Sequence, residues 1–141
     1  MNVLTTMLLT VVLAGADAKV DDDTKMLVGN WQPIQGEIGG QKLPEDVLKN
    51  LSLSMADGKY TVITPDITDK GTYAIDAAKK PKTMDVESLE GPNKGKKYQA
   101  IYELDQDKLK VCYDLSTDER PKEFDTDDHP QWLLIVYQRK K

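Results

Sequence analysis

"VGNWQPIQGE", residues 28–37, is the stretch on which the fold turns. In a chain with only 2 tryptophans and 1 phenylalanine, an indole stands two places after a glycine, at the start of the first segment with strand character. Pro33 cannot donate to a hydrogen-bonded ladder, so this strand is expected to be an edge or to carry a bulge. From here to the C-terminus the apolar residues recur with a period of two. Turn residues interrupt them roughly every eight to twelve positions, the spacing of an up-and-down sheet or barrel.

Working outward, "NWQPIQGEI" (30–38) is the first strand and "GGQKLP" (39–44) ends it. "LPEDVLKN" (43–50) is the one convincing helix. Pro44 suits the first helical position, Glu45 and Asp46 complement the amino-terminal dipole, and Lys49 complements the carboxy-terminal one. So short a helix must borrow stability by packing Val47 and Leu48 against the sheet. "LSLSM" (51–55) alternates Leu51, Leu53 and Met55 with serines, and "DGKYTVIT" (57–64) returns through Asp57-Gly58, a dipeptide suited to a tight hairpin. "GTYAID" (71–76) and "KTMDVES" (82–88) form a second pair around a lysine-rich turn. "KKYQAIYEL" (96–104) and "KLKVCYDL" (108–115) form a third, joined at Asp105-Gln106-Asp107. After the polar stretch "STDERPKEFDTDDHP" (116–130) comes "QWLLIVYQR" (131–139), the most apolar segment beyond the leader.

The reading is therefore all-β: eight antiparallel strands in up-and-down order and one short helix after the first strand. A twisted sheet of this size removes its exposed edges by closing into a barrel, which requires the first and last strands to pair. Pairing "GNW" with "VYQR" would bring Trp31 beside Arg139. A guanidinium over an indole face contributes about 0.5–2 kcal/mol and shields the ring from water. Gly29 would let the chain turn in closely beneath it. Gly29, Trp31 and Arg139 are thus the expected barrel-closing residues.

Residues 1–18, "MNVLTTMLLTVVLAGADA", contain an apolar run and end in Ala16-Asp17-Ala18, a small-x-small pattern that reads as a signal peptide cut after Ala18. The run is shorter than the roughly 20 residues a membrane-spanning helix needs. "LAGA" (13–16) resembles a lipoprotein box with alanine in place of the acylated cysteine, so neither a membrane span nor a lipid anchor is expected. Cleavage would leave 123 of the 141 residues with a net charge of −4 in place of −5, since Asp17 is the leader's only charge. Such a chain is expected to be exported, periplasmic or extracellular. Residues 19–26, "KVDDDTKM", form a flexible lead-in or a short helical start, and 27–141 form one domain. The acidic balance argues against nucleic acid, which needs a concentrated cationic face. One cysteine, Cys112, excludes an internal disulfide. It is either a small apolar filler in the core or, sharing a phase with Lys108 and Lys110, a surface thiol able to link two chains.

The Gly-x-Trp of Gly29 and Trp31, with an arginine near the end of the last strand, resembles the lipocalin signature. The run "GPNKGKKYQAIYELDQDKLKVCYDLSTDERPKEF" (91–124), together with "GNWQPIQGEIGGQKLP" and "GTYAIDAAKKPKTMDV", is similar to an uncharacterised lipocalin-like domain family abundant in planctomycete secreted proteins. The resemblance covers residues 25–139 and implies structural roles for Gly29, Trp31, Gly91, Gly95, Tyr102, Leu104, Arg120 and Pro121. It implies no catalytic residue, and function does not travel with fold. The missing disulfide and the short chain set it apart from larger lipocalins.

All 6 tyrosines fall on expected strands. Tyr98 and Tyr102 share a face, as do Tyr60 and Val62, Tyr73 and Ile75, and Tyr113 with Val111 and Leu109. If that face points inward, an amphipathic ligand can stack on the rings and meet their hydroxyls. Otherwise the tyrosines fill strands and send their hydroxyls to water. The candidate lining is Leu53, Met55, Tyr60, Val62, Tyr73, Met84, Val86, Tyr98, Tyr102 and Tyr113. "DTDDHP" (125–130) brings Asp125, Asp127, Asp128 and His129 together, but it lacks the glycine and distal glutamate of a calcium loop and reads as a solvated turn. His129 is the sole imidazole and no motif supplies an activated nucleophile, so no catalytic residue, metal or cofactor is expected. Two functions remain open. One is an exported module that takes a small hydrophobic or amphipathic molecule into the barrel. The other is a filled barrel serving as a structural or protein-interaction domain at the cell envelope, working through its loops or an edge near Pro33. The interior volume discriminates between them.

Overall fold

The computed structural model describes residues 22–141, so the expected leader, residues 1–18, and the first part of the lead-in lie outside the described residues. A short helix, α1, spans residues 22–27. The strands follow: β1 (Gly29–Ile38), β2 (Gln41–Lys42), β3 (Ser52–Ala56), β4 (Lys59–Ile63), β5 (Thr68–Asp76), β6 (Lys82–Glu90), β7 (Lys97–Asp105), β8 (Lys108–Asp114) and β9 (Trp132–Arg139). A second helix, α2 (Glu45–Lys49), lies between β2 and β3.

Every neighbouring pair is antiparallel, and β1 also pairs with β9, so eight strands close into a barrel while the two-residue β2 rides outside as an extension of β1. The closing pair runs from Trp31 opposite Arg139 to Ile38 opposite Leu133. Its register shifts between Pro33 and Gln35, which is where the missing N–H of Pro33 requires a bulge. Pro33 is buried and paired with Tyr137 of β9, while on the other side of β1 the pairing with β3 stops at Trp31. Asp57 and Gly58 both take positive φ, as a two-residue hairpin turn between β3 and β4 requires.

The start of the described residues, the C-terminus and three hairpins, at residues 57–58, 77–81 and 106–107, gather at one end of the barrel. The connections 39–51, 64–67, 91–96 and 115–131, which include the two longest, gather at the other. The interior core runs from Leu27 and Trp31 at the first end through Tyr102, Leu109, Val111 and Ile135. A second, smaller cluster lies outside the barrel wall. There Ile101, Cys112 and Trp132 pack with Leu134 and with Phe124 of the long 115–131 connection. That cover explains why β9 reads as nearly continuous apolar sequence: Leu133, Ile135 and Tyr137 face inward while Trp132 and Leu134 face outward beneath the loop.

Four expectations are changed or decided. Of the two forms expected for the lead-in, the short helical start is found, over residues 22–27, where Leu27 is fully buried and Asp23 is held by Tyr102 and Lys82. The barrel therefore carries two short helices in place of one. Pro44 caps α2 from just outside, its ψ of 147° being extended, so the helix starts at Glu45. Val47 is 45% exposed and does not pack on the sheet. Leu48 does lie against β1, its side chain over Gly36, and the α2 segment is also held by the Gln32 side-chain amide, which donates to the carbonyls of Leu48 (2.7 Å) and Leu51 (3.2 Å). Cys112 is fully buried and unpaired, so the surface-thiol alternative is excluded. Its phase with the lysines is right, but the loop covers that face.

Candidate functional site

The closed end comes first, because it sets the floor. Trp31 is fully buried, and its indole N–H donates to the carbonyl of Leu27 at 3.0 Å. The Arg139 guanidinium lies 4.3 Å from the centre of the Trp31 ring. The same group donates to the carbonyls of Val28 (2.9 Å) and Met26 and pairs with Asp107 at 3.4 Å. It thereby satisfies the carbonyls at the end of α1, which would otherwise lack partners. A side chain at Gly29 would put its Cβ 2.8 Å from the guanidinium, so glycine is what permits this approach. Beside them the Tyr102 hydroxyl donates to Asp23 at 2.7 Å, and Lys82 pairs with the same carboxylate at 2.9 Å.

Above this floor lies a cavity of about 180 Å³, opening toward the end with the long loops. Strands β3 and β4 contribute Leu53, Met55, Tyr60 and Val62 to its wall. Strands β5 and β6 contribute Tyr73, Met84 and Val86, and strands β7 and β8 contribute Tyr98 and Tyr113. Nine of the ten residues expected to line an interior site thus meet around one space. Tyr102 does not join them. It shares the inward face with Tyr98 but stands a full turn of side chains deeper, and its hydroxyl is taken by Asp23 in the floor.

The wall also holds residues the sequence reading missed, among them Leu51, Asp69, Asn93, Leu115, Leu133 and Tyr137. The signal for Asp69 was present: it stands four residues before Tyr73, in phase with it. The segment read as "GTYAID" begins too late, because β5 starts at Thr68. Leu133 and Tyr137 alternate with Ile135 along β9 in the same way.

The polar groups of the cavity fall in two sets. Toward its open end, Asp69 accepts hydrogen bonds from the Ser88 hydroxyl at 2.5 Å and the Tyr60 hydroxyl at 3.3 Å. Gly71 makes this possible. A Cβ there would sit 1.9 Å from the Glu87 carbonyl and 2.7 Å from the Tyr60 ring, so the bare backbone leaves room for that ring. Across the cavity, the hydroxyls of Tyr113 and Tyr137 bond each other at 3.2 Å. The Tyr73 hydroxyl is buried without a hydrogen-bond partner among the described residues.

Burial raises the pKa of each of these phenols, since a phenolate is poorly solvated inside the barrel. Tyr60 is raised by burial and then by the Asp69 charge, and Tyr98 by the same two causes. Tyr113 stands well above its ordinary value through burial and through Tyr137. Burial pushes Tyr137 up to about 12, with the Tyr113 hydroxyl bond pulling slightly the other way. At neutral pH the site therefore presents neutral phenols, beside the Asp69 side chain, within an apolar wall.

The residues weighed for other chemistry lie elsewhere. His129 stacks on Trp132, ring centres 3.5 Å apart and nearly parallel, outside the cavity. In the same loop Asp125 accepts from the Asp127 N–H at 2.9 Å, and Thr126 accepts from the Gly40 N–H at 2.9 Å, so the stretch is a turn that ties the loop to the β1–β2 connection. Among the described residues no three histidine, cysteine or carboxylate side chains stand close enough to hold a metal ion. No helix among them is long and apolar enough to cross a membrane. Compared with known protein families, curated proteins and solved structures, the chain finds no match.

Proposed function

We propose that this chain is an exported, lipocalin-like binding module that takes a small amphipathic molecule into the open end of its barrel. The observation that carries the reading is the cavity of about 180 Å³ inside an eight-stranded barrel, where side chains alone can fill the interior. Its wall is apolar and aromatic with a few convergent polar groups, the usual make-up of a small-molecule site. The volume limits the occupant to a compact one: a dry cavity of roughly 150 Å³ accommodates benzene. The reading is one of binding and not of catalysis. The groups that meet in the cavity are neutral phenols, a carboxylate and an amide, while the sole imidazole is stacked on Trp132 outside it.

Ligand-linked stabilisation tests it. A ligand that binds only the folded chain stabilises it by RT ln(1 + [L]/Kd), about 2.7 kcal/mol at 100 times Kd. Toluene, benzyl alcohol and short alkanols are expected to raise the Tm in a dose-dependent way. Val62→Trp, which fills the cavity, is expected to abolish the response. A Tm indifferent to every such probe would leave the barrel as a scaffold acting through its loops.

A further inference from the structure

We propose that the cavity selects an organic cation: a small amine whose ammonium group sits on Asp69 and whose apolar body enters the barrel. The proposal rests on the binding reading above and adds the sign of the ligand's charge.

Asp69 is the one charged side chain among the residues that line the cavity. It stands near the start of β5, at the open end, with Val62 opposite it on β4 and the apolar side chains of Leu53 and Val86 in the same wall. Four acids of the described chain pair with cations, Asp23 with Lys82, Asp85 with Arg120, Glu103 with Lys110 and Asp107 with Arg139, and none of these pairs lines the cavity. Asp69 makes no ion pair among the described residues and is held by two hydroxyls, those of Ser88 and Tyr60. A carboxylate has about four acceptor positions, so roughly two remain for a donor arriving from the cavity. An ammonium group supplies three such donors together with the opposite charge.

The surroundings favour the same sign. The Tyr60 hydroxyl bonds Asp69 and Tyr98 shares the cavity wall with it, and phenol rings attract cations. The carboxylate's field reaches both hydroxyls, since it helps to raise both their pKa values. The whole chain carries a formal net charge of −5, which draws cations toward it. A ligand with a carboxylate or phosphate head would bring like charge against Asp69 with no cationic wall residue to offset it.

Benzylamine, benzyl alcohol and benzoate form a matched set: one ring, three charges, and a size suited to the volume. Calorimetric titration and Tm measurements on the full chain near neutral pH are expected to show benzylamine binding about tenfold or more tighter than benzyl alcohol, the scale of a charge-assisted contact, with benzoate weakest. Asp69→Asn is expected to bring the amine down to the alcohol's affinity while the alcohol still binds. Benzyl alcohol or benzoate binding as tightly as benzylamine would overturn the cation proposal and leave the binding module standing. No binding by any of the three, nor by toluene, would overturn both. The three-probe comparison on the unaltered chain decides the matter even if Asp69→Asn proves too unstable to use.

Discussion

At the scale of single residues, Trp31 bears most on stability. It is fully buried, its N–H is satisfied by Leu27, and Arg139 covers its ring. Trp31→Ala is expected to cost about 3–5 kcal/mol in denaturant melts, the range for large-to-small changes in a core. A loss below about 1 kcal/mol would show that the floor does not depend on the indole. The contact with Arg139 was legible in the sequence as a consequence of strand pairing, because once β1 and β9 meet in this register the two residues are opposite. Asp69 was not legible in that way. An aspartate at the end of an apolar strand usually marks a turn, and nothing local distinguishes one that faces inward.

At the scale of elements, the 115–131 connection does work that its polar composition conceals. Asp114, buried at the end of β8, organises its start by accepting from the Ser116 hydroxyl (2.5 Å), the Ser116 N–H (2.9 Å) and the Glu119 N–H (2.6 Å). Further along, Arg120 donates to the carbonyls of Ala100 (2.9 Å) and Met84 (3.3 Å) and pairs with Asp85, which pins the loop across the outside of β6 and β7. Burial alone would raise the Asp114 pKa, but the Ser116 hydroxyl and the backbone N–H groups of Glu119, Ser116 and Asp118 outweigh it and bring the pKa below its ordinary value. A depressed carboxyl pKa contributes stability that is present above the unfolded value, about 4, and is lost as pH falls through the folded one. Acid titration of the Tm is therefore expected to show a loss below about pH 4 that Asp114→Ala largely removes, at a neutral-pH cost of about 1–3 kcal/mol for the stranded N–H groups. The loop's cover also predicts the behaviour of Cys112. Burial, followed by the charges of Glu37, Asp125 and Asp114, pushes its thiol up to about 12. A thiol reagent is expected to label native protein far more slowly than denatured protein. Phe124→Ala, which thins the cover, is expected to speed the native reaction, and equal rates in the two proteins would mean that the loop does not protect the thiol.

At the scale of the whole molecule, the interior is a stack of tyrosines whose pKa values are all raised. Burial and Asp23 do this for Tyr102, and burial does it for Tyr73. Between the unfolded phenol value, about 10, and the higher folded values, the unfolded chain binds fewer protons, so stability must fall as pH rises. The phenols' contribution is expected to be present in full below about pH 10 and to be lost above, with phenolate absorbance appearing together with unfolding. Smooth ionisation of most of the phenols in a still-folded barrel would contradict the burial described here. The sequence by itself determined the all-β class, the order of the eight strands, the bulge at Pro33 and most of the inward face, because a period of two and local turn chemistry write these into neighbouring residues. Only the tertiary structure decided that α1 docks beneath Trp31, that a polar loop covers a second apolar face, that Tyr102 belongs to the floor, and that Asp69 enters the cavity without a cationic partner. Each of these joins residues distant in the chain, and their meeting is set by barrel closure and packing, which no local pattern encodes.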